Sequence, residues 1–259
     1  MYKIGNIELT TRCNYRCKHC FGYGDGLFGS HDMPLDTVIS LIDKYKLISL
    51  IGGETTIYKN IRDVLTYCQD NKKIASALTN GSNPDIVIEY PKIVWIVSID
   101  GDKAFHDSNR GTGSYDKAIK TLENAKRGYI SSCITDSNEH LIKDMINLAD
   151  KLKKPIVFCP YYPTTDIVKL KRWIAIIEKY NNGWVLETKH SHKWMYRDNW
   201  VDCKCERYVD SYYADGRVTH CLNPAKTINC VGCSVSCASA MNNRIRSGIR
   251  AYYLVYLKK

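Results

Sequence analysis

The sequence predicts an α/β fold in which strand–helix units build a curved, partly open barrel, followed by a smaller cysteine-rich region. Two observations carry this. From residue 4 to about residue 180, short β-like runs alternate with longer helical patterns, the signature of parallel strands joined by right-handed crossovers. The units number about six, too few to close an eight-stranded barrel. Beyond residue 181 the alternation stops, aromatic and charged residues mix, and six cysteines fall between positions 203 and 237. This divides the chain into a barrel region at 1–181 and a cysteine-rich region with a basic tail at 182–259.

Taken in order, the expected strands are 4–10, 47–51, 74–79, 93–99, 129–134 and 155–159, each short and rich in apolar or β-branched residues. Helical patterns lie between them at 35–46, 57–70, 114–127, 138–152 and 165–180; in the last, Ile167, Leu170, Ile174 and Ile177 form an apolar stripe at helical spacing. In open α/β sheets chemistry gathers at the carboxyl ends of the strands. The unusual residues of this chain fall there.

The 259 residues carry 44% hydrophobic and 25% charged residues, a balance for burying one substantial core. No apolar stretch is long enough to span a bilayer, and the start lacks the basic segment and apolar run of a secretory signal, so a cytoplasmic location is expected. Twelve cysteines in such a chain read as metal ligands or catalytic groups rather than disulfides. Cys68, Cys133 and Cys159 stand apart in apolar surroundings and read as core residues. The formal charge of +10 counts every cysteine as neutral; thiolates gathered on clusters would offset part of it. Lys226, Arg244, Arg246, Arg250, Lys258 and Lys259 leave the tail basic, either as a solvated surface or as a contact for phosphate.

Directly after the first strand stand Cys13, Cys17 and Cys20, a C-x3-C-x2-C loop. Three convergent thiolates ligate three irons of a cubane and leave the fourth open to a ligand. The competing reading is a zinc site completed by His19 or His31. Further along, Gly52-Gly53-Glu54 follows the second strand, Thr79-Asn80-Gly81 ends the third, Ser98-Ile99-Asp100-Gly101 ends the fourth, and the segment from His106 to Tyr115 contains Arg110. Taken alone, Asn-Gly and Asp-Gly are also ordinary turn chemistry, Arg110 a surface charge beside a helix capped by Ser114, and Asn138 a helix cap.

The cysteine loop and these motifs, in this order, resemble the radical S-adenosylmethionine (SAM) superfamily. The resemblance implies a partial (β/α)6 TIM-like barrel and a 4Fe-4S cluster whose open iron is chelated by SAM. It further implies reductive cleavage of SAM to a 5′-deoxyadenosyl radical that abstracts hydrogen from a substrate, with electrons from an external donor such as flavodoxin or ferredoxin. It places His19 at the aromatic position before the third cysteine, and Gly52, Gly53 and Glu54 at the SAM amino group. Asn80, Ser98 and Asp100 are placed around the SAM pocket, Arg110 at the SAM carboxylate, and Asn138 at a further SAM contact. Thr55 stands where the family usually has proline.

The remaining cysteines, Cys203, Cys205, Cys221, Cys230, Cys233 and Cys237, run C-x10-G-x4-C from Cys205 and then C-x2-C-x3-C, with a hairpin expected at Asp215-Gly216. This resembles the SPASM/twitch auxiliary-cluster domains. Six thiolates favour one fully ligated auxiliary 4Fe-4S cluster; two clusters would need open or non-cysteine ligands, and zinc is the structural alternative.

By resemblance the substrate is a ribosomally made peptide undergoing maturation. Only twelve residues precede Cys13, which leaves no room there for the leader-peptide-binding domain of many such enzymes. A second reading keeps the chemistry but takes a nucleoside, RNA or small metabolite, for which the basic tail with Tyr252, Tyr253 and Tyr256 is suited. A third is a non-catalytic iron-sulfur or zinc protein that binds a partner. No residue is singled out as catalytic hydrogen donor or base.

Overall fold

The computed structural model describes residues 3–20, 29–161, 166–186 and 209–220. The six cysteines from Cys203 to Cys237, and with them the expected auxiliary cluster and tail, lie outside the described residues. The strands are β1 (Ile4–Thr10), β2 (Leu47–Gly52), β3 (Ile74–Thr79), β4 (Val94–Ser98), β5 (Gly128–Ile134), β6 (Ile156–Pro160), β7 (Val209–Tyr212) and β8 (Val218–Thr219). They form one sheet in the order β6-β5-β4-β3-β2-β1-β7-β8, which among the described residues does not close on itself. The first six strands are parallel, as the strand–helix alternation predicts, and β7 joins β1 in parallel. Strand β8 returns antiparallel to β7. The expected hairpin at Asp215-Gly216 is present, Gly216 taking the φ of +89° that suits a residue without a side chain.

Among the described residues, seven α-helices cover the sheet: α1 (Leu35–Asp43), α2 (Ile61–Asp70), α3 (Pro84–Glu89), α4 (Lys103–Arg110), α5 (Ser114–Asn124), α6 (Ile142–Leu152) and α7 (Ile167–Tyr180). Each long helix buries an i, i+3, i+4 set, for example Val38, Leu41 and Ile42 in α1, and Ile142, Met145, Ile146 and Ala149 in α6. These pack on Ile7, Leu9, Leu50, Ala77, Trp95, Val97, Ile130 and Phe158, which alternate along the strands. Fully burying each large apolar side chain contributes about 1.5–3 kcal/mol. No helix among the described residues is long and apolar enough to cross a membrane.

The opposite strand face lines the barrel interior and is more polar. Cys133 and Cys159 are register partners on β5 and β6 there, and both are half-buried. The core reading therefore holds for Cys68, which is fully buried, but not for Cys133, whose strand position turns it toward a cavity. Helices α3 and α4 are absent from the sequence reading because both are short and α4 buries only His106 and Asn109, so neither carries an apolar stripe. Ser114 is the first residue of α5 rather than its cap. Asp107 of α4 supplies the cap, accepting from the Tyr115 backbone N–H at 2.8 Å and from the Ser114 hydroxyl at 3.3 Å.

Candidate active site

Cys13, Cys17 and Cys20 sit on the loop leaving β1, all half-buried and free of disulfides. The end of β2 grips this loop: Gly53 N donates to Thr10 O and Glu54 N to Arg12 O, both at 2.8 Å. A Cβ on Gly52 would stand 2.5 Å from Thr10 O, and one on Gly53 only 2.2 Å from Arg12 O. The paired glycines thus admit the backbone of the cysteine loop itself. A second clamp comes from Arg12, whose guanidinium forks onto Asp32 at 3.0 and 2.7 Å while the Thr10 hydroxyl donates to the same carboxylate.

Hydrogen-bond donors converge on the sulfurs. Cys13 Sγ receives Tyr15 N at 3.4 Å and Asn80 Nδ2 at 3.9 Å, and Cys17 Sγ receives Arg110 Nη1 at 3.9 Å. Burial pushes the Cys17 thiol up to about 11, against the pull of Arg110.

The carboxyl end of β4 and helix α4 build the other wall. Asp100 is closed off from solvent and accepts Arg110 Nε at 2.6 Å, Arg110 Nη2 at 3.2 Å, Asn109 Nδ2 at 3.2 Å and Cys133 N at 3.0 Å. Burial alone would raise its pKa, but the Arg110 guanidinium holds it down to about 2. The same pairing raises the Arg110 pKa despite burial. Asn109 Nδ2 also donates to His19 Nδ1 at 2.6 Å, and the Asn109 backbone carbonyl accepts Lys18 N at 3.0 Å. The amide orientation follows from Asp100: a flipped amide would set oxygen against carboxylate. Receiving Asn109 Nδ2, His19 Nδ1 acts as an acceptor, and burial lowers the His19 pKa.

Glu54 is fully buried and its pKa is raised by burial. Its carboxylate accepts Thr56 N at 3.0 Å, Thr56 Oγ1 at 2.6 Å, Thr79 Oγ1 at 2.7 Å and Asn80 N at 2.6 Å. Three of these donors fall on Oε1 and one, Asn80 N, on Oε2, so Glu54 pins the ends of β2 and β3 together. Asn80, thus held, reaches Cys13 and also Asn14 Oδ1 at 2.9 Å. Asn138 is not a side-chain helix cap: its amide donates to Asp100 O at 2.7 Å and Cys133 O at 2.8 Å, and its oxygen accepts Thr135 N at 2.7 Å. Beside it a cavity of about 590 Å³ opens at the carboxyl ends of β5 and β6, bordered by His19, Asn109, Cys133, Asn138, Tyr161 and Trp173.

A cysteine loop after β1, gripped by a Gly-Gly-Glu turn and faced by a cavity at the strand ends, is what the sequence resemblance implied. The sequence model of the Radical SAM superfamily matches residues 7–149. The chain belongs to the radical SAM superfamily. Over 95 residues it is 32% identical to the S-adenosylmethionine-dependent nucleotide dehydratase of Selenomonas ruminantium, covering 33% of each protein. Over 198 residues it is 27% identical to the mycofactocin maturase MftC of Mycobacterium tuberculosis, covering 65% of this chain and 50% of MftC. The chain thus spans half or less of the length of these curated relatives. Among solved structures, Streptococcus suis SuiB bound to S-adenosylmethionine shares the fold with a TM-score of 0.66 at 17% identity, covering 88% of this chain and 60% of SuiB. SuiB is also known bound to its precursor peptide SuiA.

Radical SAM membership implies a 4Fe-4S cluster and SAM, and the donor set fits the cluster. Three thiols share one short loop, and N–H groups and a guanidinium face two of the sulfurs, as thiolates on a cluster require. Among the described residues, no three His, Cys, Asp or Glu side chains converge to hold a single metal ion; a cubane makes a different demand, since each thiolate ligates an iron of its own.

Of the sequence-identified residues, His19, Asp100, Arg110 and Asn138 come together around the cysteine loop and cavity, and Gly52, Gly53, Glu54 and Asn80 form the opposite wall. Ser98 ends β4 in register with Ser131 and takes no part in the ion-pair network among the described residues. Sequence reasoning missed Arg12, Asp32, Thr56, Thr79 and Asn109. The only local signal for Asn109 is its place just before Arg110; its contacts depend on long-range folding.

Proposed function

We propose that this chain is a radical SAM enzyme that matures a ribosomally made peptide, with the cluster on Cys13, Cys17 and Cys20. The observation that carries the reading is the joining of the cysteine loop to the 590 Å³ cavity through His19, which belongs to both. When bound, the cluster and SAM supply a 5′-deoxyadenosyl radical able to abstract hydrogen from a substrate carbon. The chain's own residues hold and orient. The Gly52–Glu54 turn and Arg110 would face the amino-acid end of SAM, Ser98 and Asn80 the pocket between, and His19 and Asn138 the adenosyl end. Asp100, closed to ligands, would act through Arg110 and Asn138. The Cys133 thiol and the Tyr161 and Trp173 rings on the cavity lining would limit the access of water to a substrate bound there.

We assign residues 182–259 to a SPASM/twitch-like unit in which four of Cys203, Cys205, Cys221, Cys230, Cys233 and Cys237 hold an auxiliary 4Fe-4S cluster and two thiols are spare, with flavodoxin or ferredoxin as electron source. Similarity to MftC and to the fold of SuiB supports the peptide substrate. The similarity to a nucleotide dehydratase favours the second reading, a nucleotide or related metabolite. The test incubates the anaerobically reconstituted chain with SAM, reductant and either a short peptide encoded beside its gene or a panel of nucleotides, followed by mass spectrometry. A mass change in the peptide alone supports the proposal; a change confined to a nucleotide overturns the peptide reading.

A further inference from the structure

Arg110 is a charged side chain that donates to a sulfur of the cysteine loop, Cys17 Sγ, from a buried ion pair with Asp100. Nε and Nη2 are both committed to Asp100, at 2.6 and 3.2 Å, which leaves Nη1 directed at Cys17 Sγ at 3.9 Å. Asp100 cannot shift to release it, because Asn109 Nδ2 and Cys133 N occupy its remaining positions and no part of its side chain is exposed. The ion pair is therefore a fixed dipole with its positive end toward Cys17. Water cannot reorient to screen it, since the Arg110 side chain is itself only 10% exposed. Arg16 is placed differently, spending Nη1 on the Cys13 and Tyr15 carbonyls at the surface.

We propose that Arg110, pinned by Asp100, is a positioning residue that sets the reduction potential of the cluster carried by Cys13, Cys17 and Cys20. This inference rests on the proposed cluster assignment and goes beyond a contact with SAM. A hydrogen bond and a buried positive charge at a ligating sulfur both favour the reduced, more negative cluster. Removing the guanidinium leaves Asp100 as an uncompensated negative charge and makes reduction harder. Removing the carboxylate charge while keeping Arg110 makes it easier. The opposite signs separate electrostatic tuning from structural support, for which either variant would perturb the cluster in the same sense.

The experiment is an EPR-monitored redox titration of the reconstituted full chain without SAM, so that any role of Arg110 in ligand binding does not enter. To isolate the signal, Cys221 is replaced by Ala in every protein compared. Arg110→Gln is expected to disfavour reduction at least about tenfold, equal to about 59 mV downward for one electron, and Asp100→Asn to shift the potential upward. Arg110→Lys keeps the charge and is expected to stay nearer the parent than Arg110→Gln; it also serves if the glutamine variant fails to load iron. Equal potentials in the parent, Arg110→Lys and Arg110→Gln, or shifts of the same sign in Arg110→Gln and Asp100→Asn, overturn the inference. A parent protein that loads no cluster on the N-terminal cysteines overturns the cluster assignment instead, so the two failures are distinct.

Discussion

Gly53→Ala tests whether the Gly-Gly turn exists to admit the cysteine loop. The added Cβ would lie 2.2 Å from Arg12 O, 2.6 Å from Arg12 C and 3.0 Å from Thr11 O, all backbone atoms that cannot rotate away. Restoring ordinary contact at 3.4 Å opens the strand–loop junction by about 1 Å, which stretches the 2.8 Å bond from Glu54 N to Arg12 O beyond hydrogen-bonding reach. Overpacking costs about 1–3 kcal/mol and the lost hydrogen bond about 1 kcal/mol. The expected destabilisation is thus about 2–4 kcal/mol, a fall in Tm of roughly 4–16 °C for a chain of this size. Gly29→Ala is the control, since its nearest neighbours would stand at 3.8 Å, and its stability should stay within about 0.5 kcal/mol. Thermal unfolding of the metal-free proteins, with iron and sulfide analysis after reconstitution, measures both effects. If Gly53→Ala matches the parent in Tm and iron content, the turn does not hold the loop and the reasoning fails.

His106 makes a pH prediction. It is fully buried, accepts from Asp100 N at 3.3 Å, and burial, helped by Arg110, lowers its pKa from 6.5 to about 4. The folded state therefore binds fewer protons than the unfolded state between these values. The stability His106 contributes is complete above pH 6.5 and is lost as pH falls toward 4, a change of about 3 kcal/mol. Urea unfolding of the metal-free chain across this window should show the slope in the parent and a flatter profile in His106→Asn; identical profiles would exclude His106 as its source. Cys221→Ala should lower iron content and impair conversion of the true substrate while leaving SAM cleavage in place. Unchanged iron in that variant would count against an auxiliary cluster ligated by Cys221.

The barrel was legible because its strands and long helices each carry an apolar pattern with a defined period. The six parallel strands follow from runs such as residues 74–79, and α6 from Ile142, Met145, Ile146 and Ala149. Helix α4 was not legible, since it packs through His106 and Asn109 and its start depends on Asp102 accepting from Phe105 N. At the site, residue types spaced along the chain identified the cysteines, Gly52–Glu54, Asp100 and Arg110. What they bond to could not be read there. Glu54 bonds Thr79 and Asn80, and Asp100 bonds Arg110, Asn109 and Cys133; these partners lie 9 to 33 residues away and are brought in by the fold rather than by local sequence. Nor could the close approach of Gly52 and Gly53 to Thr10 and Arg12 be read there, since it is fixed by the parallel register of β1 and β2.

The most direct test of the central claim is formation of 5′-deoxyadenosine by the anaerobically reconstituted chain with SAM and dithionite, compared with a variant in which Cys13, Cys17 and Cys20 are all Ala. The account predicts 5′-deoxyadenosine from the parent and none above background from the triple variant, even when that variant retains iron elsewhere. Cleavage persisting at the parent rate in the triple variant, or none from a parent carrying a full cluster, would contradict it.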